Sequence, residues 1–216
     1  MLRQLKKKGI VGSKVSRTQR CAVDVSPLSV AEEKTSCGIL VLLVRHVDLR
    51  SRALVTFTRG VYSHASLGFE DDPETYYSFA YRGFRIEQAD FLVRRTPDAW
   101  CRVYRIPCSA EQERRARSIV SSFCGRKESL KYNAIGLVLA CLHIPLARRN
   151  RFYCSQFVAL VLNRACGIGS KRWARACLPD GLSSVRPSEL LFDGLAQNLP
   201  KAFSSGAKLW KLSPTI

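Results

Sequence analysis

The sequence predicts an α+β domain, and three observations carry that prediction. Strand-like runs crowd the first half, helix-like runs crowd the second, and no apolar stretch comes near the roughly 20 residues needed to cross a bilayer. The earliest strand is Gly38–Val47, a continuous run of β-branched residues and leucine, the pattern of a strand covered on both faces. Asp48–Arg59 reads as a short helix with Leu54, Val55 and Phe57 inward. From His64 to Phe69 the residues alternate, with His64 and Ser66 on one face and Ala65, Leu67 and Phe69 on the other. Glu70–Pro73 is a turn, and Thr75–Tyr81 is the returning strand of a hairpin that Gly83-Phe84 breaks. Arg85–Val93 is irregular or a short strand, and Cys101–Pro107 alternates as another strand.

Ser109, followed by Glu111, Gln112 and Glu113, opens a helix that reaches Phe123 and ends at Gly125. Leu130–Leu142 is a second, more apolar helix. Arg148–Arg151 is the polar approach to Phe152-Tyr153-Cys154-Ser155-Gln156-Phe157-Val158, a buried helix that Gly167 closes. Gly167–Asp180 reads as loop, Pro187–Leu191 as a short helix with proline in its first turn, and Ala207–Leu212 as a last strand. Residues 1–36, with Lys6-Lys7-Lys8 and few large apolar residues, read as a flexible basic extension. Residues 37–216 read as a single domain.

Charge and cysteine content narrow the functional classes. The chain has 35 Lys+Arg against 17 Asp+Glu, a net charge of +18. That would suit an acidic partner met through the basic extension, such as nucleic acid or an anionic surface, but the positives are spread over the whole chain without a specific nucleic-acid motif, and a solvated surface is the favoured reading. The start lacks the apolar stretch of a secretory signal. Nine cysteines then point to a reducing, cytoplasmic interior. There is no Cys-x-x-Cys pair and the three histidines are scattered, so neither a metal nor another cofactor is expected.

Position sets Cys154 apart. At the start of an apolar helix, unpaired N–H groups and the positive end of the helix dipole favour a thiolate, which a nucleophile needs and a packing cysteine does not. Cys141, Cys166 and Cys177 read as small hydrophobes. A thiolate also needs a base. His46, at the end of an apolar strand, reads as packed, and His143 as a helix C-terminal residue. His64 stands at a strand start with Ser63 and Ser66 beside it.

Tyr62-Ser63-His64-Ala65-Ser66-Leu67, then Tyr77-Ser78-Phe79, then Phe152-Tyr153-Cys154-Ser155-Gln156-Phe157-Val158 resembles the circularly permuted NlpC-type papain-like superfamily. That group includes bacterial YiiX-like cysteine amidases or peptidases and the lecithin-retinol acyltransferase family. The resemblance covers about 38–192. It implies a small antiparallel sheet or half-barrel packed against helices, with the catalytic cysteine at a helix N-terminus. It implies that Cys154 is the nucleophile, that its backbone N–H helps bind an oxyanion, and that His64 is the base. A polar residue on the following strand orients the imidazole. Ser78 occupies that place, with Glu70 and Glu74 as alternatives nearer the turn. The implied activity is hydrolysis of an amide, isopeptide or (thio)ester bond in a peptide, cell-wall or lipid acyl substrate. Two other readings stand beside it: an acyltransferase on lipids, and a non-catalytic basic binding module on the same fold.

Overall fold

In a computed structural model of the chain, residues 37–47, 51, 55, 56, 58 and 60–204 are described. The basic extension and the strand expected at Ala207–Leu212 lie outside these residues, as does most of the helix expected at Asp48–Arg59. Strand β1 (Cys37–Arg45) runs through the middle of a six-stranded antiparallel sheet. Around it lie β2 (His64–Phe69), β3 (Asp72–Ala80), β4 (Gly83–Gln88), β5 (Trp100–Cys108) and β8 (Glu189–Leu195), in the order β4-β3-β2-β1-β5-β8. The unbroken apolar run of β1 is explained by its place. Ile39, Val41 and Leu43 enter one core, while Leu40, Leu42 and Val44 enter another on the opposite face.

The first core is sealed by helices α2 (Ala110–Cys124) and α4 (Cys154–Cys166). Helix α2 begins where expected. Ser109 accepts from the Gln112 N–H while the Gln112 side chain accepts from the Ser109 N–H, a complete capping box. Helix α4 ends at Gly167, whose φ of 72° is open to glycine at little cost, with the Gly167 and Ile168 N–H groups closing on Asn163 and Leu162. The second core is covered by α1 (Ala89–Arg95) and α7 (Leu199–Ser204).

Four expectations are corrected. Gly83 does not break the hairpin. At φ 109° it sits beside the Tyr81-Arg82 turn, and β4 pairs with β3 from Ala80–Gly83 to Thr75–Gln88. Leu130–Leu142 is not one helix. Lys131 and Tyr132 form a short strand, β6, parallel to β7 (Arg151–Phe152), and Asn133 caps a helix, α3, limited to Ala134–Cys141. The supposed loop Gly167–Asp180 contains α5 (Lys171–Ala176), capped by Ser170, and the start of α6 (Pro179–Ser183). Pro187–Leu191 is not helical, because the main chain from Glu189 onward bonds to the free edge of β5. An unpaired sheet edge outbids a five-residue helix too short to sustain itself.

Candidate active site

The site forms where β2, β4 and the first turn of α4 meet. His64 opens β2, and its alternation with Ala65 places the imidazole and the Ser66 hydroxyl on one face of the sheet. Pairing between β2 and β3 begins at Leu67–Tyr77, so the start of β2 has no full partner on that side. The backbone groups of Ala65 are satisfied differently. Its carbonyl accepts the Ser78 hydroxyl at 2.6 Å, and its N–H points to the Cys154 sulfur. The gap between two strands is thus where the thiol fits.

Cys154 is the first residue of α4, and no side chain caps that end. The N–H of Ser155 is therefore left to face the sulfur as well. The other polar residues of this turn have structural tasks. Ser155 donates to the Cys177 carbonyl at 2.8 Å, and Gln156 donates to the Arg175 carbonyl at 2.9 Å. They tie α4 to α5 and fix the direction in which Cys154 projects.

The His64 ring lies between sulfur and carboxylate. Its Nε2 is 3.0 and 3.2 Å from the two oxygens of Glu87 on β4, with Ser66 and Ser78 hydroxyls each at 3.3 Å. The Cys154 thiol is the ring's further polar neighbour and favours its protonated form. Glu87 is itself held, accepting from Ser66 at 2.7 Å and from Arg85.

The electrostatics follow from this chain. Burial alone would discharge His64, but the Glu87 carboxylate and the hydrogen bond to Cys154 outweigh it and raise the imidazolium to about 10. Burial would likewise protonate Glu87, and the charge and hydrogen bond of His64, helped by Arg85, instead lower it to about 2. Burial opposes ionisation of Cys154 too. The His64 hydrogen bond and charge, with the Ala65 and Ser155 N–H groups, hold the thiol below its ordinary value. Among the described cysteines it alone is lowered, while burial pushes Cys101, Cys108, Cys166 and Cys177 upward.

The structure therefore brings Cys154, His64 and Ser78 together, and Ser78 shares the ring's Nε2 with a carboxylate. Its proton goes to the Ala65 carbonyl, and the carboxylate on Nε2 is Glu87, which the sequence reading missed. Glu70 instead pairs with Arg105 at 2.9 Å, and Glu74 is exposed. A signal for Glu87 existed. Carrying the hairpin register past the turn sets Tyr76 opposite Glu87 and Ser78 opposite Arg85, on the face that His64 and Ser66 share. His46 is half-buried rather than packed away. Its ring centroid is 6.0 Å from that of His64, and both line a cavity of about 210 Å³ with Arg85, Glu87 and Phe91. A larger cleft of about 530 Å³ is lined by Tyr132, whose phenol is raised by burial and then by the charge of Cys154. No group of three His, Cys, Asp or Glu side chains among the described residues is placed to hold a metal ion.

Because its pKa is depressed in the fold, Glu87 contributes stability that is complete above about pH 4.5 and is lost as pH falls toward 2. Glu87→Gln is expected to remove this part of the acid dependence and to cost about 2 kcal/mol near neutrality. Urea midpoints of both proteins between pH 2 and 6 check it: parallel curves would show that the carboxylate contributes nothing.

No protein-family model matches the chain, and no curated protein matches it. A solved structure, the metalloprotein YiiX from Escherichia coli O157:H7, is similar at 14% sequence identity, covering 75% of this chain and 99% of that one with a TM-score of 0.49. No helix among the described residues is long and apolar enough to cross a membrane.

Proposed function

We propose that the chain is a cysteine acyl hydrolase of the circularly permuted papain-like type, acting on an amide, isopeptide or (thio)ester carbonyl. The observation that carries this reading is the placement of His64 between the Cys154 thiol and the Glu87 carboxylate at the uncapped start of α4. The Cys154 thiolate adds to the carbonyl carbon, and the C=O electron pair moves to oxygen. Main-chain N–H groups at the head of α4 are the donors nearest that developing charge. As the tetrahedral species collapses, the His64 imidazolium gives its proton to the leaving amine, alcohol or thiol, and an acyl-thioester remains on Cys154. His64, now neutral, takes a proton from water, whose oxygen attacks the thioester and releases the acid and the free thiol. An acceptor hydroxyl or amine in place of water would make the same site a transferase. Glu87 holds the ring and stabilises its charged form without touching the substrate.

Intact-mass analysis during reaction with p-nitrophenyl acetate, followed by peptide mapping, tests the reading. A single acetyl group is expected on Cys154 before any other cysteine, decaying in water. Equal acetylation of several cysteines, or a Cys154→Ala protein as active as the parent, would overturn it.

A further inference from the structure

Helix α3 has the sequence AIGLVLAC, without a polar side chain on any face. A helix of that composition is normally enclosed. Here only one side is covered, with Leu137 and Ala140 packed on Tyr153, the residue before the candidate nucleophile. Ile135, Val138 and Leu142 are 57%, 50% and 60% exposed, and Ile144 in the following turn is 49% exposed. The spacing i, i+3, i+7 puts the first three on a single stripe.

The stripe is bordered by cations. Lys131 precedes α3, Arg148 and Arg149 follow it, and Arg151 lies on β7, paired with Lys131 of β6. None of these four meets a carboxylate within ion-pair distance among the described residues. Several acidic side chains elsewhere are paired: Glu87 with Arg85, Asp193 with Arg102, Glu70 with Arg105 and Glu113 with Arg117. The cations beside the apolar stripe thus keep their positive charge.

We propose that this face docks on an anionic membrane surface, with the α3 stripe dipping into the headgroup–acyl boundary and the flanking cations resting on anionic headgroups. A helix lying flat immerses a stripe of this spacing all at once, and charges at both of its ends match a planar anionic layer. A nucleic-acid backbone would use the cations but leave the isoleucine, valine and leucine side chains in water. The docking is independent of the chemistry proposed for Cys154, so Cys154→Ala is expected to bind vesicles as the parent does.

The test is co-sedimentation of the full chain with vesicles of phosphatidylcholine alone and of phosphatidylcholine mixed with phosphatidylserine. The parent is expected to pellet with the mixed vesicles and to be released by salt. Val138→Asp/Leu142→Asp and Arg148→Glu/Arg149→Glu should each weaken binding by about tenfold or more. Arg114→Glu/Arg115→Glu on α2, an equal change of charge on another face, should bind nearly as the parent does. Leu142→Ser, neutral and exposed, keeps the test open if the aspartate pair fails to fold. The proposal falls if the parent stays in the supernatant, if the stripe variants bind undiminished, or if the α2 control loses as much as the Arg148/Arg149 variant. It also falls if the parent proves to be a dimer that the stripe variants dissociate, since the stripe would then be covered by a second copy.

Discussion

Replacing His64 by alanine is expected to slow acylation of Cys154 by about 100- to 10,000-fold, the usual worth of a positioned proton-transfer group. The loss has two sources. The thiol returns toward its ordinary range because the neighbouring positive charge and hydrogen bond are gone, and the leaving group no longer receives a proton. The pH profile separates them. In the parent the rate should rise as Cys154 ionises, at a pH below the ordinary thiol value of 9, and fall as His64 gives up its proton near 10. With Glu87→Gln the imidazolium loses its largest support, so the falling limb should move down toward the ordinary histidine value of 6.5 and the plateau should narrow. Rates of iodoacetamide alkylation at Cys154 across pH, read by mass spectrometry, report the rising thiolate limb alone, because iodide leaves without a proton, and acylation rates report the falling one. A profile in which Glu87→Gln leaves the upper limb in place would separate Glu87 from the imidazole's chemistry. A His64→Ala protein alkylated as fast as the parent at neutral pH would remove the thiolate–imidazolium pair altogether.

The helix-start cysteine and the alternating histidine strand were legible because both are local. A helix start, a periodicity and a closing glycine are written within about a dozen residues, and the structure keeps them. Glu87 was hidden because Gly83-Phe84 resembles a stop. Only the two-residue turn, with Gly83 at φ 109°, carries the strand onward. A Cβ at Gly83 would lie 2.3 Å from the Leu130 carbonyl oxygen, so the glycine also admits a close approach that nothing nearby in sequence announces. The helix–strand errors share a cause. Lys131–Tyr132 and Glu189–Leu195 take their conformation from main-chain partners on β7 and β5, far away in sequence, against weak local preference. Helix α3 shows the opposite failing: its composition reads as buried, and half of it is not.

The steepest loss of stability is expected from Phe157→Ala. Phe157 lies one turn below Cys154, fully buried, with its ring centroid 5.0 Å from Phe123 and 5.5 Å from both Phe79 and Phe84. These rings come from α2, β3 and β4, so this one side chain fastens α4 to the sheet beneath the site. Truncating it removes the buried ring and leaves a hole bounded by three rings that cannot all move inward, a change that costs about 3–5 kcal/mol in comparable cores. Phe157→Leu, which refills most of the volume, should cost about 1.5 kcal/mol or less. Tyr81→Ala, at a side chain 87% exposed, should stay within about 0.5 kcal/mol of the parent. Urea titrations of the three proteins measure the differences directly, and the selectivity of alkylation for Cys154 in Phe157→Leu reports whether the helix head has shifted. Since domains of this kind are stable by only about 5–15 kcal/mol, Phe157→Ala should stand close to the edge of folding. A loss below about 1 kcal/mol would mean that α4 is held by Ser155 and Gln156 rather than by the aromatic cluster, and the sulfur's position would then rest on hydrogen bonds alone.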